Sequence, residues 1–231
     1  MSASYTIQPI GYLQSPYRQK FGVPRQPGLV DCEAHLILDA QFSADSVRGL
    51  EAYSHLWLSF LFHQTVEQGW QPLVRPPRAG GNQKLGVFAT RSSFRPNGLG
   101  LSVVTLKGIE LGMQVSLILS GVDLVDGTPI IDIKPYIPYA DSLPQARADF
   151  APEPPAMLSV HWREAALQQA QQLQVTDTER RVIEQVLAQD PRPAYHATDP
   201  KKRYGVWLYQ WDIAFSIDEN GVWIEALELR P

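Results

Sequence analysis

The stretch 113-MQVSLILSGV-122 sets Val115, Leu117 and Leu119 against Gln114, Ser116 and Ile118. A period of two puts one set on a buried face, so the segment predicts a strand. Comparable apolar or alternating runs predict strands over 5–13, 35–39, 54–63, 85–88, 101–110 and 129–136. Six or seven strands with no long helical pattern predict a mainly β fold, an antiparallel sheet that curls or closes into a barrel or sandwich.

The pattern changes after the proline-rich stretch 144-PQARADFAPEPPA-156, which reads as a linker or a long ordered excursion. Segment 176-TDTERRVIEQVLAQD-190 opens with Thr176 and Glu179 at capping-box spacing and carries Val182, Ile183, Val186 and Leu187 on one helical face. A second helical pattern covers 163–173. Segments 204–217 and 222–229 predict strands joined by the turn 218-DENG-221. The expected division is a β domain over 1–145 and a smaller α+β domain over 146–231.

Composition narrows the class. With 44% hydrophobic residues in 231, a globular core is expected. No run approaches twenty apolar residues, and the N-terminus lacks a basic segment followed by an apolar one. Neither a membrane span nor a signal peptide is expected, and a cytoplasmic location is the simplest reading. Cys32 is the only cysteine, which excludes disulfide scaffolds and cysteine-built zinc sites within one chain.

Net charge is −4, which argues against a polyanionic partner until its distribution is considered. Residues 68–109 contain no acid, while Arg75, Arg78, Lys84, Arg91, Arg95 and Lys107 supply six positive charges. Local sign matters more than the sum when a patch meets phosphates. The alternative is a solvated basic surface balanced by acids elsewhere.

Candidate chemistry is concentrated in loops. The run 86-GVFATRSSFRPNGLGLS-102 is rich in donors and poor in anything that packs, as a loop holding an anionic or polar ligand would be. In 15-SPYRQKFGVPRQPGL-29, Arg25 and Gln26 sit between Pro24 and Pro27 as preorganised donors, or as part of a surface loop stiffened by proline. His63 and Gln64 end an apolar strand, where a polar pair faces a barrel mouth or is simply structural. Asp123, Asp126 and Asp132 lie close in sequence, and turn formation at Asp126-Gly127 is the competing account of Asp126. Their spacing fits no calcium loop, and no metal is expected. There is no strand–GxGxxG–helix fingerprint, phosphate loop, HExxH or nucleophile elbow.

Taken together, 23-VPRQPGL-29, 63-HQ-64, 86-GVFATRSSFRPNGLGLS-102, 126-DGTPIIDIKPY-136 and 190-DPRPAY-195 resemble the TrmO family, also called TsaA-like or YaeB-like, of tRNA adenosine methyltransferases. The resemblance covers nearly the whole chain. It departs at 95-RPNGLG-100, where the family loop usually reads RPNPIG and proline would stiffen it. It implies a small non-Rossmann β-barrel that uses S-adenosylmethionine. The implied substrate is tRNA bearing threonylcarbamoyladenosine just 3′ of the anticodon, mainly threonine tRNA, and the implied state is a homodimer. The implied cofactor residues are Pro24, Arg25, Gln26, His63, Gln64, Arg91, Leu101, Asp123, Leu124, Val125 and Asp126. Arg91 and Asp126 are expected to position the reacting groups, with no general base identified. Arg95, Asn97, Lys134, Arg192, Tyr195, Lys201, Lys202 and Arg203 are expected to meet tRNA. A noncatalytic RNA- or nucleotide-binding barrel is the alternative. A nucleotide hydrolase ranks last, since no nucleophile–base arrangement is present.

Overall fold

The computed structural model describes residues 4–76, 83–148, 152–192, 199 and 202–230. Six strands close an antiparallel barrel: β1 (Gly11–Gln14), β2 (Glu33–Leu38), β3 (His55–Leu61), β6 (Leu99–Leu111), β7 (Val115–Ser120) and β8 (Pro129–Pro135), in the order β1-β2-β7-β6-β3-β8. Alternation sets which face goes inward: β3 exposes His55 and buries Leu56, Leu58 and Phe60. The barrel closes where β1 meets β8, Gly11 opposite Ile130, and the Ile10 N–H donates to the Ile130 carbonyl at 2.7 Å. Closure leaves no free sheet edge, which suits a mainly β chain. A two-stranded ribbon of β4 (Leu73–Val74) and β5 (Leu85–Gly86) stands outside it.

Beyond a four-residue turn of helix, α1 (Pro138–Asp141), described residues of the 144–156 stretch form neither strand nor helix. The chain then builds a second sheet, β10 (Tyr204–Leu208), β11 (Trp211–Asp218), β12 (Gly221–Leu229) and β9 (Val160–Trp162), with β9 parallel to β12. Helices α2 (Glu164–Gln172) and α3 (Asp177–Ala188) accompany it. The capping box forms as the sequence predicts: Thr176 Oγ1 accepts from the Glu179 N–H at 3.2 Å, and Glu179 Oε2 accepts from the Thr176 N–H at 2.8 Å.

Four expectations shift. Residues 5–9 lie outside β1 and are exposed or half-exposed, so the first strand is shorter than the apolar pattern suggests. At 85–88 only Leu85–Gly86 is extended, and Val87–Ala89 turns into one 3-10 turn. The run 204–217 is two strands, because Tyr209 takes a left-handed φ of 54° and folds the chain into a hairpin. Strand β9 is three residues long, too short for any periodicity to show.

The barrel and the second sheet share one buried core. Tyr17, fully buried, bridges to Leu208 at the end of β10, and its hydroxyl lies 3.1 Å from Cys32 Sγ. The segment leading out of β1 is therefore wedged against the second sheet before it reaches Pro24.

Candidate functional site

A cavity of about 730 Å³ opens at one end of the barrel, bounded by Lys20 and residues 23–27, the end of β3 with the turn to Thr65, the loop leading into β6, and residues 123–125 with Thr128. Its size is that of a small-molecule or cofactor site. Each wall is fixed by main-chain bonds. The Gly28 N–H donates to Gly121 O at 2.9 Å, tying the proline-held loop to the end of β7. The Phe62 N–H donates to Gly98 O at 2.7 Å, joining the end of β3 to the arginine loop.

Two glycines make that loop possible. Gly98 has φ +62°, and its N–H donates to Arg95 O at 3.0 Å. Proline, with φ locked near −65° and no N–H, cannot take this conformation, so the departure from the family loop carries its own backbone geometry. Gly100 pairs with Phe60, and a Cβ there would stand 2.2 Å from the Phe60 ring. The aromatic ring can lie across the strand only because that position is bare.

Pro24, Arg25, Gln26, His63, Gln64, Arg91, Leu101, Asp123, Leu124 and Val125 all line the cavity, as does Arg95. Arg91 Nη1 donates to Gln26 Oε1, linking two loops. Arg95 braces its own loop, donating from Nη1 to Thr90 O at 2.8 Å and to Val87 O at 3.3 Å, with its guanidinium 5.8 Å from the Phe88 ring centroid. Burial, aided by the Lys20 ammonium, lowers the His63 pKa against the effect of the Leu61 carbonyl. Leu101 is 59% exposed, whereas Leu124 is buried with the core.

Among the described residues Asp123 is the one acidic side chain lining the cavity, which also carries Lys20, Arg25, Arg91 and Arg95. Its carboxylate accepts from Ser102 Oγ. Burial pushes its pKa up to about 6, against the opposing effects of Ser102 and the Arg91 charge. Asp126 is not on this wall. Its carboxylate is taken by Arg18 and by the Ser15 N–H at 2.9 Å, the arrangement that a turn role gives it. Asp132 lies on the exposed side of β8, 4.0 Å from Lys134. Among the described residues no cluster of three potential metal ligands occurs.

The other expected RNA-facing residues scatter. Asn97 is exposed in the turn before β6, and Lys134 is exposed on the barrel wall. Lys202 lies 5.2 Å from the Tyr204 ring centroid, and Arg203 is 3.9 Å from Glu225. Arg192 has a side chain only 7% exposed and is held by Asp190. Tyr195 and Lys201 lie outside the described residues, as does Arg78 of the acid-free stretch. The sequence reading missed Lys20, Trp57 and Ser102 on the cavity wall. Lys20 lay in a loop already singled out; Trp57 and Ser102 read as ordinary strand positions, and only barrel closure aims them at a ligand.

The comparisons agree with this architecture. The model of the tRNA-methyltransferase O N-terminal domain matches residues 12–142, and that of the TrmO C-terminal domain matches 155–230. The chain belongs to the TrmO family. It is 48% identical to the tRNA (adenine(37)-N6)-methyltransferase of Escherichia coli K12, covering 99% of this chain and 100% of that one. It is also 48% identical, over 91% of each chain, to RcsF of Pseudomonas aeruginosa, provisionally named an S-adenosylmethionine-dependent methyltransferase. The crystal structure of TrmO from P. aeruginosa superposes with a TM-score of 0.81 at 40% identity, covering 99% of both chains. TrmO membership explains the missing dinucleotide fingerprint, since the cavity is built from barrel loops and not from a strand–helix turn.

Proposed function

We propose that this TrmO protein methylates the exocyclic nitrogen of threonylcarbamoyladenosine at position 37 of tRNA, mainly threonine tRNA, using S-adenosylmethionine. Position 37 and the adenine nitrogen are those in the name of the E. coli relative. The carrying observation is the charge arrangement of the cavity, one half-buried carboxylate set against four cations.

The residues present fit the methyl donor. Asp123 offers a carboxylate in a poorly solvated wall, where a cation is worth more than in water. Trp57, Phe60 and Phe62 offer ring faces for adenine, and Arg91 offers a planar fork for a carboxylate. When bound, the donor supplies a methyl group on a positively charged sulfur.

That donor carries a net positive charge, so with it in place the cavity holds more cation still. A substrate that brings negative charge offsets the excess. A threonyl carboxylate on the base, together with flanking phosphates, does so; a bare adenine does not. The N–H of the ureido group is also more acidic than that of an amine, because its carbonyl withdraws electrons. In-line positioning then contributes more than strong base assistance.

The domains divide the work: residues 1–145 hold the donor and 146–231 help hold tRNA. Of the cations in the acid-free stretch, Arg75, Lys84 and Lys107 make no ion pair among the described residues and suit phosphates. A homodimer working in the cytoplasm completes the reading, and sedimentation of the purified protein tests the dimer.

The test is methyl transfer from labelled donor to tRNA isolated from a strain lacking this protein, followed by nucleoside mass spectrometry. One added methyl on threonylcarbamoyladenosine is expected. Binding of that tRNA without transfer would instead establish the noncatalytic RNA-binding barrel.

A further inference from the structure

Arg25 stands in the wall of the main cavity, yet its guanidinium is held from outside it. Nη2 donates to the main-chain carbonyls of Asp190 (3.3 Å) and Arg192 (3.1 Å). Both carbonyls belong to the corner that follows α3 in the second domain. On its far side Arg25 borders a smaller cavity of about 210 Å³, shared with Gln189, Pro191 and Arg192, so together with Lys20, Val23 and Pro24 it forms the partition between the two spaces.

The corner is itself locked. The Asp190 carboxylate accepts from Arg192 Nε and Nη2, each at 2.8 Å, and from the Arg192 N–H at 3.2 Å. Such a forked, charge-assisted pair fixes both partners in one plane. Asp190 takes a left-handed φ of 47° as the helix ends, and its N–H donates to Leu187 O at 3.1 Å. Aspartate and asparagine tolerate that backbone better than most residues.

The fork therefore does something that capping α3 alone does not require. An unanchored arginine loses rotamer freedom when it is fixed, and two acceptors on a rigid corner remove that cost in advance. Arg25 lies between Pro24 and Pro27, so holding its guanidinium also holds the 24–27 wall.

We propose that the Asp190–Arg192 fork is a positioning device for the donor site: it fixes the carbonyls that hold Arg25, and through Arg25 the second domain sets the affinity of the barrel for its methyl donor. The identity of the donor rests on the function proposed above. Asp190 and Arg192 are not among the residues that line the main cavity, and the hydrogen bonds that tie their corner to its wall are those of Arg25.

The test uses the full chain. Asp190→Asn preserves the left-handed backbone and removes the charge, and Arg192→Gln cuts the same fork from its other side. Donor affinity is measured by calorimetry with S-adenosylmethionine, and amide exchange over 22–28 is followed without it. Each variant is expected to weaken the donor about five- to tenfold and speed exchange at 22–28, and Asp190→Asn is expected to leave kcat at saturating donor within about twofold. Combining Asp190→Asn with Arg25→Ala is expected to lose no more affinity than Arg25→Ala alone, since both break one linkage. Arg192→Lys, which lacks the planar fork, is expected to behave like Arg192→Gln. Should the buried Arg192 variants lose a cooperative melt, Asp190→Asn decides. Unchanged affinity in a folded fork variant overturns the proposal, as do losses that multiply in the double variant. If the wild-type protein binds no S-adenosylmethionine, the donor assignment falls separately, and unchanged exchange at 22–28 would then overturn the fork's role.

Discussion

Arg91 Nη1 donates to Gln26 Oε1, so the arginine loop and the proline-held loop meet at the cavity wall. Gln26 satisfies one edge of the guanidinium and leaves other N–H groups for a ligand carboxylate. A forked contact of that kind contributes about 1.5–3 kcal/mol, so Arg91→Ala is expected to cost about ten- to a hundredfold in kcat/KM. Arg91→Lys should not restore it. Single-turnover methylation alongside thermal melting checks both; full activity in the folded alanine variant would place the site elsewhere.

Asp123 gives a prediction with opposite signs for binding and stability. Its pKa of about 6 in the folded chain lies above the ordinary 3.8. The folded state thus holds this proton more tightly, and stability from it is lost as pH rises from about 4 through 6. At neutral pH the ionised group costs about 2 kcal/mol, allowing for its open side toward the cavity. Asp123→Asn should therefore melt higher at pH 7 while binding S-adenosylmethionine more weakly. In the wild type, donor affinity should rise between about pH 5 and 7 as the carboxylate ionises. A flat affinity profile there would remove Asp123 from the donor's cationic part.

Asp126 provides the contrast, since its carboxylate serves Arg18 and the Ser15 N–H. Asp126→Asn is expected to lower the melting temperature modestly and keep donor affinity within about threefold, because losing a half-exposed pair costs about 1 kcal/mol or less. A donor affinity that collapses in this variant would return Asp126 to the site.

Gly98 tests the departure from the family loop. Gly98→Pro would remove the N–H that bonds to Arg95 O and force the wrong φ, so a loss of at least about 2 kcal/mol is expected in denaturant melts. Equal stability would mean that the loop rearranges freely around residue 98.

The basic tail is tested by salt. Neutralising Lys201, Lys202 and Arg203 together should flatten the logarithmic salt dependence of tRNA binding by about 0.7 to 0.9 for each phosphate that is no longer neutralised. An unchanged slope would take the tail out of the interface.

Alternation in 113–122 and the apolar run 54–63 determined their strands in advance; β3 keeps the period of two in its burial, whereas β7 is buried on both faces, Ser116 included. Thr176 and Glu179 determined where α3 begins, since a capping box is satisfied within four residues. Arg25, Gln26, His63, Gln64 and Arg91 stood out as polar residues in loops or at a strand's end, and with Pro24 they line the cavity. What the sequence left open depended on contacts between distant segments. Asp123 and Asp126 are equivalent acids three apart in sequence, and only the path of the turn sends one into the cavity and the other to Arg18. Trp57 and Ser102 came to line the cavity through the pairing of β3 with β6, which no local pattern announces. Arg192 read as a tRNA-facing cation, but in the corner after α3 its side chain is only 7% exposed, and a buried guanidinium persists only with a partner, here Asp190.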